Sequence, residues 1–532
     1  MCGVAGAIGI ELPVDLLWQQ LHRRGPDELR ELRVGGLHAA HSRLAIVAPD
    51  DPRSRQPIWY EGRALICNGF IGNADEVMAG LGLGRAASDC TALVASYVAD
   101  PEAGLRRLRG QFAAVIVDPE AGELVLARDL TGICPLYFAE RPEGLVFGSQ
   151  AAWIAAALRD SRLDPESVDE FLSVGYALAP GTLRAGIRQV EPGTYIAVDL
   201  ITGKLRRIVR WGEGLLATGS AGSPGSAGER LADLVEQAVA RNIGGDYEPW
   251  ILLSGGLDSL LVLHGAVAAG ARPSAVTLAY PGNANADELA MSSEFACWYG
   301  VELHVVAAEP PERVINPDCF RQRVDWPFDG GSLVPKITMA NFIHSHGGRV
   351  VLGGTGADEL FGGYSRHQRR LAFLPPGARQ GTRPAEREFF TGAVTRPPHA
   401  ETLWRHFLEH EDRYGDAGFT YDLLEIGMHH NPRVDSCFAN TSVEYRPVFQ
   451  DADVVALAAA LPLDSKSGLG LPKSLLRRAF HGRVPQRFLD VPKKPLRYGE
   501  MGPTPQWRKH VFSIWKQANA ERANRKDNDV YA

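Results

Sequence analysis

The first part of the chain is patterned as short apolar runs separated by turn residues. Runs of this kind, with few helical repeats between them, are typical of β-strands. The runs that we interpret as strands are Leu65–Cys67, Phe112–Asp118, Leu124–Ala127, Leu145–Phe147 and Tyr195–Val198. This pattern predicts a strand-dominated domain over residues 1–205.

The pattern changes at residue 228, where buried strands begin to alternate with helical stretches such as Glu288–Trp298. The segment before it, residues 214–227, reads GLLATGSAGSPGSA, a composition typical of a flexible connector. We therefore predict a first domain (1–205), a linker (206–227) and a second domain (228–532). The alternation predicts a doubly wound parallel sheet with ligands at the carboxyl ends of its strands. The predicted strands are Trp250–Leu253, Ser274–Ala279, Glu302–Val306 and Arg349–Leu352.

Composition limits the classes of function. A chain of 532 residues is too long for one core. Its net charge of −7, without a basic block, argues against a nucleic-acid partner, and no apolar run reaches the ~18 residues of a membrane span. The N-terminal MCGVAGAIGI lacks a positive region and is a poor signal peptide. Seven scattered cysteines without a C-x-x-C pair argue against a zinc site and predict a reducing cytoplasm.

The most informative motif is SGGLDS, residues 254–259, between an apolar strand and an apolar helix. A glycine turn at a helix N-terminus directs backbone N–H groups at an anion, and two serine hydroxyls can add hydrogen bonds. Asp258 would repel phosphate unless a cation lay between them, which predicts Mg²⁺. The spacing matches neither the Walker nor the dinucleotide pattern. It resembles the pyrophosphate loop of the N-type ATP pyrophosphatases, which implies ATP binding by Ser254, Gly255, Gly256, Asp258 and Ser259. The alternative is an ordinary turn that caps a helix.

Cys2 follows the initiator methionine directly. If Met1 is removed, Cys2 carries both a thiol and a free α-amine, whose pKa near 8 suits a general base at neutral pH. The amine can take the thiol proton through a water molecule, so this nucleophile needs no separate histidine. Taken alone, a cysteine at this position is more often a small buried hydrophobe.

The motifs after Cys2 form an ordered set: HRRGPD (22–27), AHSRLAIV (40–47), RQPI (55–58), NGFIGN (68–73), SDC (88–90), LRGQFAAVIVD (108–118) and ARDLTGICPLYF (127–138). This set resembles the glutaminase domain of class II, N-terminal-nucleophile (Ntn) amidotransferases in the asparagine synthetase branch. The resemblance covers nearly all of residues 2–200 and implies an Ntn-hydrolase-type αββα sandwich.

The same resemblance implies a glutamine site with Cys2 as its nucleophile. Arg43 would hold the α-carboxylate of glutamine and Asp89 its α-ammonium, while the Asn68 side chain and the Gly69 N–H would form the oxyanion hole. The family reads N-G-E where this chain reads N-G-F. Phe70 cannot accept a hydrogen bond from the ammonium, so we expect a lower glutamine affinity or a different amide donor.

A second signature, VVLGGTGADELFGGY, spans residues 350–364. It puts Asp358 at the carboxyl end of a buried strand, where Asp258 and Asp358 together could hold Mg²⁺ on the pyrophosphate of ATP. The alternative is an acidic helix N-terminus. The block resembles asparagine synthetases, and the match continues to about residue 500 through SVEYRPVFQD (442–451), LPKSLLRRAF (471–480) and VPKKP (491–495). The resemblance implies an adenine nucleotide α-hydrolase-like fold and Asp358 as a magnesium ligand. It implies ATP contacts by Val276, Gly354, Tyr364 and Lys473, and catalysis by Lys493, with the adjacent Lys494 as the alternative.

Three departures from the family lie in the segments where the acceptor should bind. Thr355 replaces the first Glu of G-E-G-[SA]-D-E, Trp326 makes D-W-P of the usual D-E-P, and Gly330 replaces an Asp. A carboxylate replaced by an indole changes the charge and the shape of a pocket. We therefore expect the acceptor to be aspartate or a larger, less polar acid.

Together these motifs predict a glutamine-hydrolysing, ATP- and Mg²⁺-dependent amide synthetase that forms an acyl-adenylate and attacks it with ammonia. Its partners would be glutamine and a carboxylic acid, and a homodimer is compatible with the sequence.

Three alternatives stay open. The first is intramolecular, ring-closing amide formation (as in β-lactam synthetases or lasso cyclases) with an idle glutaminase domain. The second is a non-catalytic module built on an inactive synthetase, and the third is another pyrophosphatase-loop enzyme such as a tRNA sulfurtransferase. Intact Cys2, Asp258 and Asp358 argue against the first two, and the lack of a cysteine pair and of a basic face argues against the third.

Overall fold

The structure is a computed structural model that describes residues 1–12, 18–19, 21–217, 224–328, 332–373, 416–492 and 505–524. The strands of its first part are β1 (Gly3–Ile8), β2 (Glu28–Val34), β3 (Leu37–Arg43), β4 (Ile58–Tyr60), β5 (Arg63–Ile71), β6 (Gly110–Asp118), β7 (Glu123–Arg128), β8 (Tyr137–Arg141), β9 (Gly144–Gly148), β10 (Arg188–Gln189), β11 (Tyr195–Asp199) and β12 (Leu205–Val209). The helices of this part are α1 (Ala74–Gly80), α2 (Cys90–Ala99), α3 (Pro101–Arg107), α4 (Ala151–Ala157), α5 (Pro165–Val174) and α6 (Glu213–Ala217).

These strands form two antiparallel sheets that pack face to face. One sheet has the order β10-β8-β9-β1-β3-β2, and the other has the order β12-β11-β7-β6-β5-β4. The layer between the sheets contains Val4 and Ala39 from the first and Ile66, Val115 and Leu126 from the second. Helices α2 and α4 cover the outer faces of the two sheets. The expected αββα sandwich is therefore confirmed.

The second part contains α7 (Pro224–Asn242), β13 (Trp250–Leu252), α8 (Leu257–Ala268), β14 (Ser274–Ala279), α9 (Ala286–Tyr299), β15 (Leu303–Ala307), α10 (Pro311–Val314), α11 (Pro317–Gln322), α12 (Leu333–Ser345), β16 (Val350–Gly353), α13 (Ala357–Phe361), α14 (Ser365–Phe373), α15 (Ala417–Glu425), α16 (Asn431–Phe438), β17 (Glu444–Pro447), α17 (Ala452–Ala460), α18 (Leu463–Lys466), α19 (Ser474–Ala479), α20 (Gln486–Leu489) and α21 (Pro505–Asn524). The predicted strand Ser274–Ala279 has these same bounds, and the other three predicted strands differ only at their ends.

The five strands that the structure describes in the second part form a parallel sheet with the order β15-β14-β13-β16-β17. The strand order reverses between β13 and β16, and in such sheets ligands bind at the carboxyl ends beside this switch point. The SGGLDS loop follows β13, and the segment that begins with Gly354 follows β16. The predicted doubly wound sheet is confirmed, and both ATP motifs lie at its switch point.

The second sheet of the sandwich continues past residue 205 into the segment that we interpreted as a linker. Strand β12 pairs with β11 as the edge of the second sheet, and α6 and the start of α7 also fall within 206–227. The pattern of Leu205–Val209 (LRRIV) did not predict a strand, because this edge strand is largely exposed and carries polar residues. The division at 205 and 227 otherwise stays a proposal.

All seven cysteines are free thiols in this fold. Six of them are buried, and Cys297 is exposed. In the part of the chain that the structure describes, no helix is long and apolar enough to cross a membrane.

Candidate active sites

Cys2 lies directly before β1 and is 8% exposed. The Leu44 N–H donates to its sulfur over 3.4 Å, and the thiol points back at the Leu44 carbonyl at 3.9 Å. Burial raises the pKa of the Cys2 thiol to about 11, so the nucleophile needs a base at neutral pH. The α-amino group of Met1 is buried beside it, and burial lowers the pKa of that amine. Removal of Met1 would give Cys2 its own amine as the base.

Arg43 ends β3 and is almost completely buried. Its guanidinium donates to the Ser54 hydroxyl at 2.6 Å and to the carbonyls of Ala48 and Pro49, each at 3.2 Å. These acceptors are neutral, so the positive charge stays available for a carboxylate. This environment suits the role that the resemblance implies for Arg43.

Asn68 and Gly69 lie in β5, opposite β6. Asn68 is completely buried, yet neither its side-chain oxygen nor its side-chain nitrogen has a hydrogen-bond partner. A buried amide without a partner is costly, and such a group commonly marks a site that a ligand completes. At Gly69 a Cβ would collide with the Gln111 carbonyl on β6, so only glycine fits there. Both positions suit an oxyanion hole.

We expect Asn68→Ala to lower kcat for glutamine hydrolysis by about 10²–10³-fold and to change KM little. The reason is that the amide would donate to an oxygen whose charge develops only in the transition state. Steady-state hydrolysis measures both constants. Asn68→Asp is a matched comparison because it keeps the size but loses the N–H donors, and it should be impaired to a similar degree. A rise in KM alone would contradict the assignment.

Asp89 lies before α2, and one of its carboxylate oxygens accepts the Ile71 N–H at 2.7 Å. Burial raises the pKa of Asp89 to about 6. Only the ionised carboxylate can bind an ammonium group, so we expect kcat/KM for glutamine to fall as pH drops below about 6, by up to about tenfold per pH unit. A pH profile measures this fall. Asp89→Asn should have a low kcat/KM without a break near pH 6, whereas a wild-type profile that is flat from pH 5 to pH 7 would contradict the role of Asp89.

Phe70 lies on the same face of β5 as Asn68 and is 5% exposed. The guanidinium carbon of Arg446 lies 3.5 Å from the centre of its ring, a cation–π contact. Arg446 also pairs with Glu444 at 2.8 Å. Phe70 thus packs against Arg446, a cation of the second domain. Position 70 therefore offers no carboxylate to an ammonium group.

The SGGLDS loop is tied together by its serines. The Ser259 hydroxyl donates to the Gly256 carbonyl at 2.9 Å, accepts the Ser254 N–H at 3.1 Å and lies 3.2 Å from the Ser254 hydroxyl. Gly255 has φ +68°, a left-handed conformation, and a Cβ there would meet the Glu288 carbonyl at 2.5 Å. Helix α8 begins directly after Gly256, so its N-terminus faces the open side of the loop.

Asp258, Asp358 and Lys473 converge behind this loop. The Lys473 ammonium lies 2.6 Å from a carboxylate oxygen of each aspartate, and its side chain is 3% exposed. Gly354 and Gly363 pack so closely on the two aspartates that any side chain would collide with them. The two carboxylates therefore share the Lys473 ammonium as a common cation, and the magnesium role of Asp258 and Asp358 stays a prediction. Oxygen ligands of this kind fit Mg²⁺, which would neutralise phosphate oxygens there.

A cavity of about 490 Å³ opens from this centre along the carboxyl ends of the strands. Its lining includes Thr277 and Leu278 of β14, Gly354 and Tyr364. Val276 is completely buried and does not line the cavity. The next two residues, Thr277 and Leu278, line it instead, where we predicted the adenine to bind. The Tyr364 hydroxyl donates to Glu359 at 2.6 Å.

At the far end of the cavity, Thr355, which lies in a predicted acceptor segment, meets residues for which the sequence predicted no role. The hydroxyls of Thr355 and Tyr445 lie 2.6 Å apart, and both residues line the cavity with Lys336, Glu359, His430 and Arg433. The His430 ring lies 3.0 Å from the Glu359 carboxylate. Burial by itself would raise the pKa of Glu359, but the neighbouring His430 ring holds this pKa below its usual value. Thr355, Glu359 and Tyr445 lie within the motifs described above. Lys336, His430 and Arg433 lie in no motif, and only the fold brings them to this cavity.

The expectation that Trp326 shapes the acceptor pocket is wrong. Trp326 does not line the cavity; its indole N–H donates to the Tyr137 hydroxyl of the first domain at 3.1 Å. The preceding Asp325 accepts the N–H groups of Ala151 and Ala152 and so caps α4, which turns the segment toward the first domain. Gly330, Lys493 and Lys494 lie outside the described residues.

Family models match both parts of the chain. Residues 230–530 match the model described as Asparagine synthase, and residues 1–207 match the model described as Glutamine amidotransferase domain. These matches agree with the two sites described above.

Curated relatives align along most of the chain. It is 26% identical over 566 residues to glutamine-hydrolyzing asparagine synthetase 1 of Bacillus subtilis (strain 168), with 93% of this chain and 85% of the relative covered. It is also 26% identical over 553 residues to a putative glutamine-hydrolyzing asparagine synthetase of Mycobacterium tuberculosis (strain ATCC 25618 / H37Rv), with 89% and 82% covered. A solved chain of the allosteric regulatory enzyme of purine biosynthesis is 15% identical, with a TM-score of 0.32, and covers 58% of this chain and 81% of that chain.

Proposed function

Because this chain belongs to the asparagine synthase family, we propose that it is a glutamine-dependent, amide-forming ligase. Cys2 attacks the side-chain amide of glutamine and releases ammonia, and the second domain uses ATP to convert a carboxylic acid into an acyl-adenylate and pyrophosphate. Ammonia then attacks the acyl carbon, and AMP leaves. The homologues that align along most of the chain, which are named glutamine-hydrolyzing asparagine synthetases, support this reaction class.

The observation that carries the proposal is that adjacent residues of β17 reach both sites. The Glu444 carboxylate lies close enough to Cys2 and to the Met1 amine to shift the pKa of both groups. The next residue, Tyr445, places its hydroxyl on Thr355 in the nucleotide cavity. The Tyr445 carbonyl accepts a hydrogen bond from Gln111 of the first domain. One strand therefore separates the source of ammonia from its acceptor, which suits transfer without release into water.

In this proposal Lys473 and the N-terminus of α8 neutralise the phosphates of ATP, and the SGGLDS loop holds them with its N–H groups and hydroxyls. Mg²⁺, held by Asp258 and Asp358, would supply further neutralisation of the leaving pyrophosphate. Lys336 and Arg433 make the far end of the cavity positive. Such an end favours an acceptor with an anionic group besides the reacting carboxyl, such as aspartate or a larger dicarboxylic acid. Seven free thiols suit a reducing, cytoplasmic location.

A second candidate is ring closure, in which an amine of the acceptor itself attacks the adenylate. The pair of Thr355 and Tyr445 hydroxyls favours it, because a carboxylate that could take the proton of ammonia is absent at position 355. The intact Cys2 site favours amidation from glutamine.

One experiment tests the proposal and separates the two candidates. Pyrophosphate release is measured with Mg-ATP across a panel of acids that includes aspartate, and glutamine hydrolysis is followed in the same reactions. We expect at least one acid to release pyrophosphate and to accelerate glutamine hydrolysis. An acid that releases pyrophosphate with no effect on glutamine would support ring closure. The absence of both responses across the panel would contradict the proposed function.

A further inference from the structure

A loop of the second domain lies against the glutamine site of the first. It follows α7 and comprises residues 243–246, here called the covering loop. Its Gly244 faces Phe70, where a Cβ would come within 3.0 Å of the ring. Its Asp246 N–H donates to the Ile46 carbonyl at 3.0 Å. The Arg446 guanidinium holds the loop from behind by donating to the Gly244 carbonyl at 2.6 Å.

The covering loop brings a carboxylate onto Ala48, a residue that Arg43 also contacts. The Asp246 carboxylate accepts the Ala48 N–H at 2.7 Å, and the carbonyl of the same Ala48 accepts the Arg43 guanidinium at 3.2 Å. Ala48 has φ +43°, a left-handed conformation that turns its two polar backbone groups toward these partners. Ala48 alone therefore lies between the Arg43 guanidinium and the Asp246 carboxylate. An α-amino acid carries its carboxylate and its ammonium on one carbon, so its head group matches this short spacing.

Asp246, Asp89 and Phe70 line one cavity of about 690 Å³. An ammonium group has three N–H donors, and one oxygen of Asp89 is already occupied by the Ile71 N–H. Phe70 offers no acceptor. Within the described part of the chain Asp246 is exposed and forms no ion pair, so its charge is not neutralised by the protein.

We propose that Asp246 is the second anionic ligand of the α-ammonium of the amide donor, in the role that Phe70 cannot fill. This inference rests on the proposed function, because it assumes that glutamine binds beside Cys2. It means that the donor site is completed by a residue of the other domain. Glutamine recognition would then depend on the docking of the covering loop.

The test compares glutamine with 4-carbamoylbutanoate, which is glutamine without its α-ammonium. Both are titrated by competition calorimetry into the full-length Cys2→Ala chain, which cannot turn them over. Adding Asp246→Asn should weaken glutamine binding by about 5–10-fold and leave 4-carbamoylbutanoate within twofold, since one charge interaction with the ammonium is lost. The asparagine oxygen can still accept the Ala48 N–H, so the loop is expected to stay in place.

Glu76→Gln is the matched control, because Glu76 is an exposed carboxylate on the same cavity with no role in the proposed site. It should change neither affinity. Equal weakening of both ligands by Asp246→Asn would overturn the inference, since Asp246 would then act only through Ala48 and Arg43. Unchanged glutamine affinity would also overturn it. If the wild type neither binds nor hydrolyses glutamine, the proposed function itself fails, an outcome distinct from these two.

Discussion

Replacement of Cys2 by alanine is expected to lower glutamine hydrolysis by about 10⁴-fold or more while leaving ammonia-dependent pyrophosphate release intact. The thiol is the attacking group of the proposed glutaminase, and loss of a nucleophile removes the covalent route entirely. The second domain does not need that route, because added ammonia can reach the acyl-adenylate directly. Parallel assays of glutamate and pyrophosphate, with glutamine or an ammonium salt as the nitrogen source, measure the two activities.

Cys2→Ser is a useful comparison for this prediction. It keeps a hydroxyl at nearly the same place, but the hydroxyl is a much weaker nucleophile than a thiol, so we expect it to be almost as inactive. Unfolding curves of both variants should lie close to that of the wild type, because the substitutions are small. Glutamine consumption at the normal rate by Cys2→Ala would show that another residue is the nucleophile.

Replacement of Asp358 by asparagine is expected to lower pyrophosphate release and to leave glutamine hydrolysis nearly unchanged, the reverse of the effect of Cys2→Ala. Asp358 shares one cation position with Asp258, and the Lys473 ammonium lies 2.6 Å from both carboxylates. If these carboxylates hold Mg²⁺ as proposed, loss of one would weaken metal binding, and the charge stabilisation by the metal is worth several kilocalories per mole, so pyrophosphate release should fall by about 10³-fold. Basal glutamine hydrolysis should change by no more than about twofold. The assays are the same pair as for Cys2.

The structure also gives this second prediction an internal check. Higher Mg²⁺ should partly restore Asp358→Asn if the residue holds the metal, whereas it should not restore Lys473→Met, which removes the positive charge of the protein itself. Pyrophosphate release at the wild-type rate in Asp358→Asn would place the metal and the pyrophosphate elsewhere. Equal loss of both activities would indicate misfolding, which the unfolding curve would reveal independently.

The sequence motifs located most of the candidate groups because short segments determine local geometry. SGGLDS needs a glycine in a left-handed conformation between a strand and a helix, and Gly255 has that conformation. Asn68 and Phe70 lie beyond the predicted strand Leu65–Cys67, and only the longer strand of the structure puts them on one face. The meeting of Asp258 and Asp358 followed from the rule that ligands bind at the carboxyl ends of parallel strands.

Trp326 shows where this reasoning fails. The motif D-W-P predicted a role in the acceptor pocket, but Asp325 caps α4 and the indole bonds to Tyr137. The direction of that segment depends on a helix of the other domain, which a local pattern cannot contain. Leu205–Val209 was missed for a related reason, since an exposed edge strand lacks the apolar alternation of a core strand.

By itself, the sequence determined the two fold classes and the strand-to-helix turn of the pyrophosphate loop, and it marked Cys2, Asn68, Asp258 and Asp358 as candidate reactive groups. These depend on backbone preferences and on chemistry carried within a few consecutive residues. Only the tertiary structure decided that Tyr445 meets Thr355, that Lys473 joins the two aspartates and that Asp246 reaches Ala48. These contacts join residues that lie 90 to 215 positions apart. The first two depend on how the elements of the second domain pack and the third on how the two domains pack, which no pattern along the chain contains.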